Sequence, residues 1–424
     1  MPKTLRDLYA DLQLAMGQGK AEKVGLSDAF VVKFAELMFS QGLALHASDI
    51  HIEPTTTGAR IRFRIDGMLQ EMLQLPPEVR DPLIRSIKTK ANMANEPVGR
   101  SKPQDSRINF QSNGHVVDLR LSSFPTLFGD VLTVRILDRS AQLMKLEDIG
   151  FSLAMLKKFE QLITRPNGLL LVTGPANSGK TTTLYGAINR LRGPHTKIVT
   201  LEDPVEYQLD GVNQAQVSPE VGLTFASGLR AILRQDANVI LVGEIRDPET
   251  AEIAVRAALT GHIVLATLHT RHSFGAVLRL MDMGIEPHLI VGSVTGVVAQ
   301  RLVRKLCLAC KTEDPTATQA FLRLWKRETG KEPATVGTAK FCKSVGCAAC
   351  HQSGYQGRLG IFELFVPDGE TKQLIAERET RQLYKTAVAS GMTTMVLDGL
   401  AKTAEGLTTI AEVIRVTGDS SDEG

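Results

Sequence analysis

The residues best suited to chemistry fall into three groups. The first is Gly174-Pro175-Ala176-Asn177-Ser178-Gly179-Lys180-Thr181-Thr182. Glycine, four residues, then Gly-Lys-Thr is the spacing of a phosphate-binding loop. Its glycines let backbone N–H groups turn inward and approach phosphate oxygens. Lys180 reaches the β- and γ-phosphates of a nucleotide, and the Thr181 hydroxyl is a ligand for Mg²⁺. The second group is Glu202, Glu244 and His269, each at or just beyond the end of a short apolar run. Phosphoryl transfer to water needs a held Mg²⁺ and a group that orients the attacking water. We expect Glu202 to polarise that water and Glu244 to hold the Mg²⁺, with exchange of the two roles left open. The third group is Cys307-Leu-Ala-Cys310 and Cys347-Ala-Ala-Cys350. Four thiolates satisfy a tetrahedral Zn²⁺, and a closed site of this kind is structural. Cys342, the fifth cysteine, is expected to stand aside.

These groups need elements to hold them. Leu169–Thr173, Ile198–Leu201, Val239–Val242 and Ile263–Ala266 are short, continuous apolar runs. Such runs suit strands buried on both faces of a parallel sheet. Leu184, Ala187, Ile188 and Leu191 give the segment after the loop an apolar helical face. In an open α/β sheet, ligands bind at the carboxyl ends of the strands. The four runs would therefore deliver the loop, two carboxylates and a histidine to one edge.

Upstream the period changes to two. Ile61, Phe63 and Ile65 alternate with arginines, as do Val117, Leu119 and Leu121 with Asp118, Arg120 and Ser122, and Leu132, Val134 and Ile136 with Thr133 and Arg135. With a helix expected over 78–94, residues 48–139 read as α+β with a largely antiparallel sheet. Phe30, Val31, Phe34, Leu37 and Met38 recur at helical spacing after Ser27. The expected layout is a helical arm over 1–45, an α+β domain over 46–140 and a linker over 141–165. An α/β core over 166–305, a cysteine module over 306–360 and a helical region with a polar tail over 361–424 complete it.

Composition narrows the function. The 424 residues carry 49 basic and 46 acidic side chains, a net charge of +3, which does not suit a nucleic-acid coat. Aromatic residues are 5% of the chain and Trp325 is the one tryptophan, so a base-stacking channel is not expected. Five cysteines are too few for a disulfide scaffold and suit a reducing compartment. No signal peptide and no run of roughly 18 apolar residues is visible, so a cytoplasmic enzyme is expected. A nucleic-acid translocase and a nucleotide-dependent scaffold without hydrolysis are the competing readings.

Six segments together resemble the ATPases of type II secretion and type IV pilus assembly, the GspE/PilB type. They are the loop at 174–181, Thr200–Glu206, Ile240–Asp247, Gly261–Thr270, Ser48–Pro54 and Gly354–Gly360. The resemblance implies a RecA-like ATPase core preceded by an α+β, PAS-like domain, with ATP and Mg²⁺ as ligands and Zn²⁺ in the cysteine module. It implies a homohexamer whose sites lie between the upstream domain and the core. There Arg120 and Arg135 would contact nucleotide, while Arg230 and Arg234 would form an interface or sensing element. His262 and His269 would sense the γ-phosphate or link subunits. The implied partners are an inner-membrane platform protein, a cytoplasmic docking protein and, indirectly, pilin or pseudopilin, with no nucleic acid. The implied location is the cytoplasm, with recruitment to the bacterial inner membrane. The chain departs from the family at Ala176-Asn177, Ser106 and Asn238, none of which removes a catalytic group. The resemblance also implies that the family's first N-terminal domain is missing or reduced to the arm.

Overall fold

The structure, a computed structural model, describes Asp7, Ala10 and residues 28–96, 101–112, 115–137, 144–333 and 339–418. Most of the expected arm over 1–26 and the polar tail lie outside these residues. The chain divides into two compact units, Met1–Gln142 and Leu143–Gly424.

The first unit is built on alternation. Helix α1 (Asp28–Ala44) precedes β1 (Ala47–Thr55), β2 (Gly58–Ile65) and β3 (Met68–Leu75). Helix α2 (Pro77–Lys90) leads to β4 (Gln104–Ser112), β5 (His115–Thr126) and β6 (Gly129–Leu137). The strands form one sheet in the order β3-β2-β1-β6-β5-β4, every pair antiparallel. Ile50, Ile61, Phe63, Leu119, Leu121 and Val134 form its apolar face, packed in one core with Phe34 and Met38 of α1 and Leu83 and Ile87 of α2. Period-two alternation sends the intervening residues to the other face. There the register sets Arg107 opposite Arg120, Arg120 opposite Arg135, Arg135 opposite Asp49 and Asp49 opposite Arg64. One row of four arginines and one aspartate thus crosses five strands.

The second unit is α/β. Helix α3 (Leu153–Ile163) leads to β7 (Gly168–Thr173), α4 (Lys180–Leu191), β8 (Ile198–Glu202), β9 (Asn213–Gln216), α5 (Phe225–Ile232) and β10 (Val239–Val242). Helix α6 (Pro248–Leu259), β11 (Ile263–Leu268), α7 (Ser273–Asp282), α8 (Pro287–Ser293) and β12 (Val294–Leu306) follow. The sheet order is β15-β12-β7-β11-β10-β8-β9, where β15 is Tyr355–Phe365. All neighbours run parallel except the edge pair of β12 and β15. The four expected runs are its central strands. The sheet also takes in β9, β12 and β15, so it extends past residue 305. Alternation splits β7 between two cores: Leu169 and Leu171 pack with α5 to α8, and Leu170 and Val172 pack with α3 and α4. The cysteine module joins β12 to β15 and contains the short ribbon β13 (Thr312–Glu313) and β14 (Cys342–Lys343) with α9 (Ala317–Thr329). Helices α10 (Gly369–Ala376), α11 (Thr380–Ala389), α12 (Met395–Ala404) and α13 (Ile410–Thr417) close the unit. Among the described residues, no helix is long and apolar enough to cross a membrane.

Candidate active site and metal centre

The loop leaves β7 at Thr173, whose register partners are Leu268 of β11 and Ala299 of β12. The Thr173 hydroxyl accepts from the Thr270 N–H at 2.8 Å, which stitches the ends of β7 and β11 together. Gly174 has φ +148°, and a Cβ there would lie 2.4 Å from the Gln300 carbonyl oxygen, so only glycine fits. Asn177, one of the two residues at which the loop departs from the family, takes φ +61°, a conformation asparagine tolerates. Lys180, the first residue of α4, folds back so that Nζ donates to the carbonyls of Gly174 and Pro175, both at 2.9 Å. Burial lowers its pKa to about 8, opposed by the charge of Glu244 and assisted by that of Arg301. Ser178 Oγ is buried without a hydrogen-bond partner among the described residues. A buried ammonium resting on the loop's own carbonyls and an unpartnered buried hydroxyl both fit a polyphosphate with Mg²⁺. Thr181 and Thr182 stand half-buried on the first turn of α4.

The neighbouring strand ends bring the acids. Glu244, two residues past β10, is 14% exposed and its charge reaches Lys180. It pairs with Arg246 and, at 3.4 Å, with His269 Nε2. Arg246 also reaches Asp203 at 3.7 Å. Glu202 is the last residue of β8 and is 3% exposed. Its carboxylate accepts from the Tyr185 hydroxyl, from Thr200 Oγ1 at 2.6 Å and from Gln214 Nε2 at 3.2 Å. Burial, with the Glu202 charge and hydrogen bond, pushes the Tyr185 phenol far above its ordinary range, so it stays a donor. Glu202 is thereby tied to α4, the helix that begins at Lys180.

Within the second unit, His262, Arg230 and Arg234 stand away from the loop. His262 precedes β11, at the opposite edge of the sheet from His269 and roughly 20 Å from it at strand rise. Its Nδ1 lies 3.1 Å from the Ala257 carbonyl at the end of α6. Arg230 and Arg234 are exposed, as their four-residue spacing implies, while Leu229 and Ile232 are buried. Arg230 pairs with Glu249 on the first turn of α6, and Arg234 donates to the Arg230 carbonyl at 3.0 Å. Arg120 and Arg135 are paired across β5 and β6 in the first unit. Arg135 is exposed and reaches Asp49 at 3.1 Å; the Nε of Arg120 is buried without a hydrogen-bond partner among the described residues. Sequence reasoning passed over Tyr185, Arg246, Arg271 and Arg301. Of these, Arg246 lies inside a recognised segment, whereas the position of Arg301 depends on strand register that the sequence does not display.

The four cysteines of the two Cys-x-x-Cys pairs converge, with all Sγ atoms within 4.8 Å of one another. Cys307–Cys347, Cys310–Cys350 and Cys347–Cys350 are 3.9, 3.8 and 3.7 Å apart. A tetrahedron with Zn–S bonds of about 2.3 Å has edges of about 3.8 Å, so the thiolates fit zinc. The N–H groups of Cys347 and Gly354 each lie 3.2 Å from Cys350 Sγ. Burial pushes the Cys350 thiol up, but these donors and the neighbouring thiols outweigh it and bring it to about 6. Cys342 lies outside the group.

Comparison with known proteins shows the family. The chain matches the family described as "Type II/IV secretion system protein" over residues 25–415. Type II secretion system protein E of Pseudomonas aeruginosa is 44% identical over 92% of this chain and 76% of its own length. The type IV pilus assembly ATPase PilB of Myxococcus xanthus is 43% identical over 91% of this chain and 68% of its own length. The crystal structure of the pilus retraction motor PilT with bound ADP superposes with a TM-score of 0.61 at 26% identity, covering 91% of this chain and 97% of that one. The ATPase DotB of Legionella pneumophila gives a TM-score of 0.66 at 21% identity over 90% and 95%, a likeness of fold. A match across nearly all of the described residues, with the loop, the acids and the cysteine module inside it, decides the assignment: the chain belongs to the Type II/IV secretion system protein family.

Proposed function

We propose that the chain hydrolyses ATP in a homohexamer and so powers assembly of a type IV pilus or a type II secretion pseudopilus. The force would pass through an inner-membrane platform protein, with a cytoplasmic docking protein recruiting the ATPase to the membrane. The observation that carries this reading is the single sheet edge at which the Lys180 loop meets Glu244 and His269. Residues 174–182 would hold the phosphates. A Mg²⁺ held through Thr181 and Glu244 would place positive charge on the terminal phosphate oxygens. Glu202 would polarise the attacking water. In the structure two donors sit on Oε1 and one on Oε2, which leaves Oε2 a further acceptor site for a water, and the Tyr185 hydroxyl bridges the carboxylate to the helix that carries Lys180. The arginine row of the first unit, with Arg120 and Arg135, has the charge to meet nucleotide across a subunit boundary. Arg230, Arg234 and His262 have surface or structural placements that suit subunit contact better than phosphate contact.

Phosphate release tests the reading, together with sedimentation of the chain with and without Mg-ATP. We expect turnover, a hexamer and loss of turnover in Lys180→Ala. Arg135→Ala should lower turnover while keeping zinc. A chain that binds ATP without releasing phosphate would instead be a scaffold, and strong stimulation by DNA would make it a translocase.

A further inference from the structure

A cation outside the loop motif stands beside it. Ala299 of β12 is the register partner of Thr173, so Gln300 and Arg301 run alongside the loop. The Gln300 carbonyl packs onto Gly174. The Gln300 side chain faces α4, where Thr183 Oγ1 donates to it at 2.7 Å. Alternation then turns Arg301 to the other face of the strand. Arg301 is half-buried, its Nε is buried without a partner, and it forms no ion pair among the described residues. On the opposite flank, β11 ends at Leu268, the other partner of Thr173, and Arg271 follows three residues later. Burial and the charge of Arg271 hold the Arg301 guanidinium below its ordinary range, and Arg301 in turn helps to lower Lys180.

Three cations thus crowd the end of β7. Glu244 is the carboxylate whose charge opposes the lowering of Lys180, and it already engages Arg246 and His269. A half-buried guanidinium with an unmade hydrogen bond is costly unless an anion completes it. Arginine keeps its charge and offers a planar fork that matches phosphate oxygens. We propose that Arg301 is a phosphate-contacting residue that, together with Lys180, holds the terminal phosphates of the nucleotide bound by its own chain. This inference rests on the nucleotide reading above and adds a ligand-binding residue to it.

The test is a competition titration of AMP, ADP and ATP with Mg²⁺ against a fluorescent nucleotide, on the full chain with zinc in place. Arg301→Gln should lower the preference for ATP over AMP by tenfold or more, and Arg301→Lys should recover part of it. A structural role would weaken AMP and ATP alike, and that result overturns the proposal. So does a Gln variant with unchanged preference while the wild type binds ATP, an outcome that leaves the nucleotide reading standing. Failure of the wild type to bind ATP overturns both. A second measurement needs no variant: mass spectrometry of the wild type after phenylglyoxal treatment. Mg-ATP should slow modification of Arg301 at least fivefold and AMP should not, whereas equal rates refute the contact.

Discussion

Lys180 gives a prediction with a number. In the nucleotide-free chain burial lowers its pKa from 10.5 to about 8. Contact with phosphates favours the ammonium, so the bound chain holds the proton at or above the ordinary 10.5. Binding is then coupled to proton uptake. Affinity is at its full value below pH 8 and falls as the pH rises above 8, because the empty site must first regain its proton. With a pKa of about 8, the protonated fraction drops about tenfold between pH 7 and pH 9. The same factor applies to Kd, about 1.4 kcal/mol. Mg-bound ATP is fully ionised across that window and contributes no proton. For folding, the lowered pKa has the opposite sense: the unfolded chain binds the extra proton between about 8 and 10.5, so the empty fold gains stability as the pH climbs through that range. The assay is calorimetry of ATP binding at pH 7, 8 and 9 in buffers of different ionisation enthalpy. About half a proton should be taken up at pH 8, and less at pH 7. Lys180→Arg, which keeps its charge throughout, should abolish the pH dependence. A wild-type affinity that is flat from pH 7 to pH 9, with no proton uptake, would refute the reasoning.

Two further predictions concern the acids and the thiols. Glu202→Gln and Glu244→Gln should each lower kcat by about 100-fold or more; Glu244→Gln alone should also weaken Mg-ATP binding in equilibrium titration, and retained turnover in either variant removes that residue from the reaction. Cys347→Ser should reduce zinc from about one ion per chain to near none, as read by metal analysis, and full zinc content would exclude Cys347 as a ligand.

What the sequence displays depends on how local the cause is. The loop, its strand and its helix lie within 168–191, and every requirement there is set by neighbours in the chain, so that site was legible. The buried parallel strands showed as apolar runs, since two-sided burial leaves no polar alternation to obscure them. Strand β9, Asn-Gln-Ala-Gln, has no such run and owes its place to pairing with β8. Glu202 showed as an acid at a strand end, but its three donors come from α4, β8 and β9 and become visible only when those elements pack. His262 sits in the same recognised segment as His269, yet the strand between them carries the two to opposite edges. A motif fixes which residues travel together, and the fold fixes which of them meet.

Strand β12 shows the consequence most directly. It runs for 13 residues from Val294 to Leu306. Its first part pairs with β7 up to the residue before the loop, and Gln300 and Arg301 flank the loop itself. Farther along, Arg304 stacks over the Tyr355 ring at 4.0 Å and is held by Glu412 of α13 at 2.7 Å. Cys307, a thiol of the metal group, follows directly after the strand. Pairing with β15 is continuous from Val297 to Arg304, so this stretch has little freedom to bend on its own. Between β12 and β15 the chain makes a long excursion over residues 307–354. A metal held by all four thiolates would close that excursion at its base, where loop-closure entropy is otherwise unfavourable. Arg301 and Cys307 are six residues apart, roughly 20 Å of strand. The thiolate cluster therefore lies at the far end of the same strand that sets Gln300 and Arg301 beside the loop at 174–182.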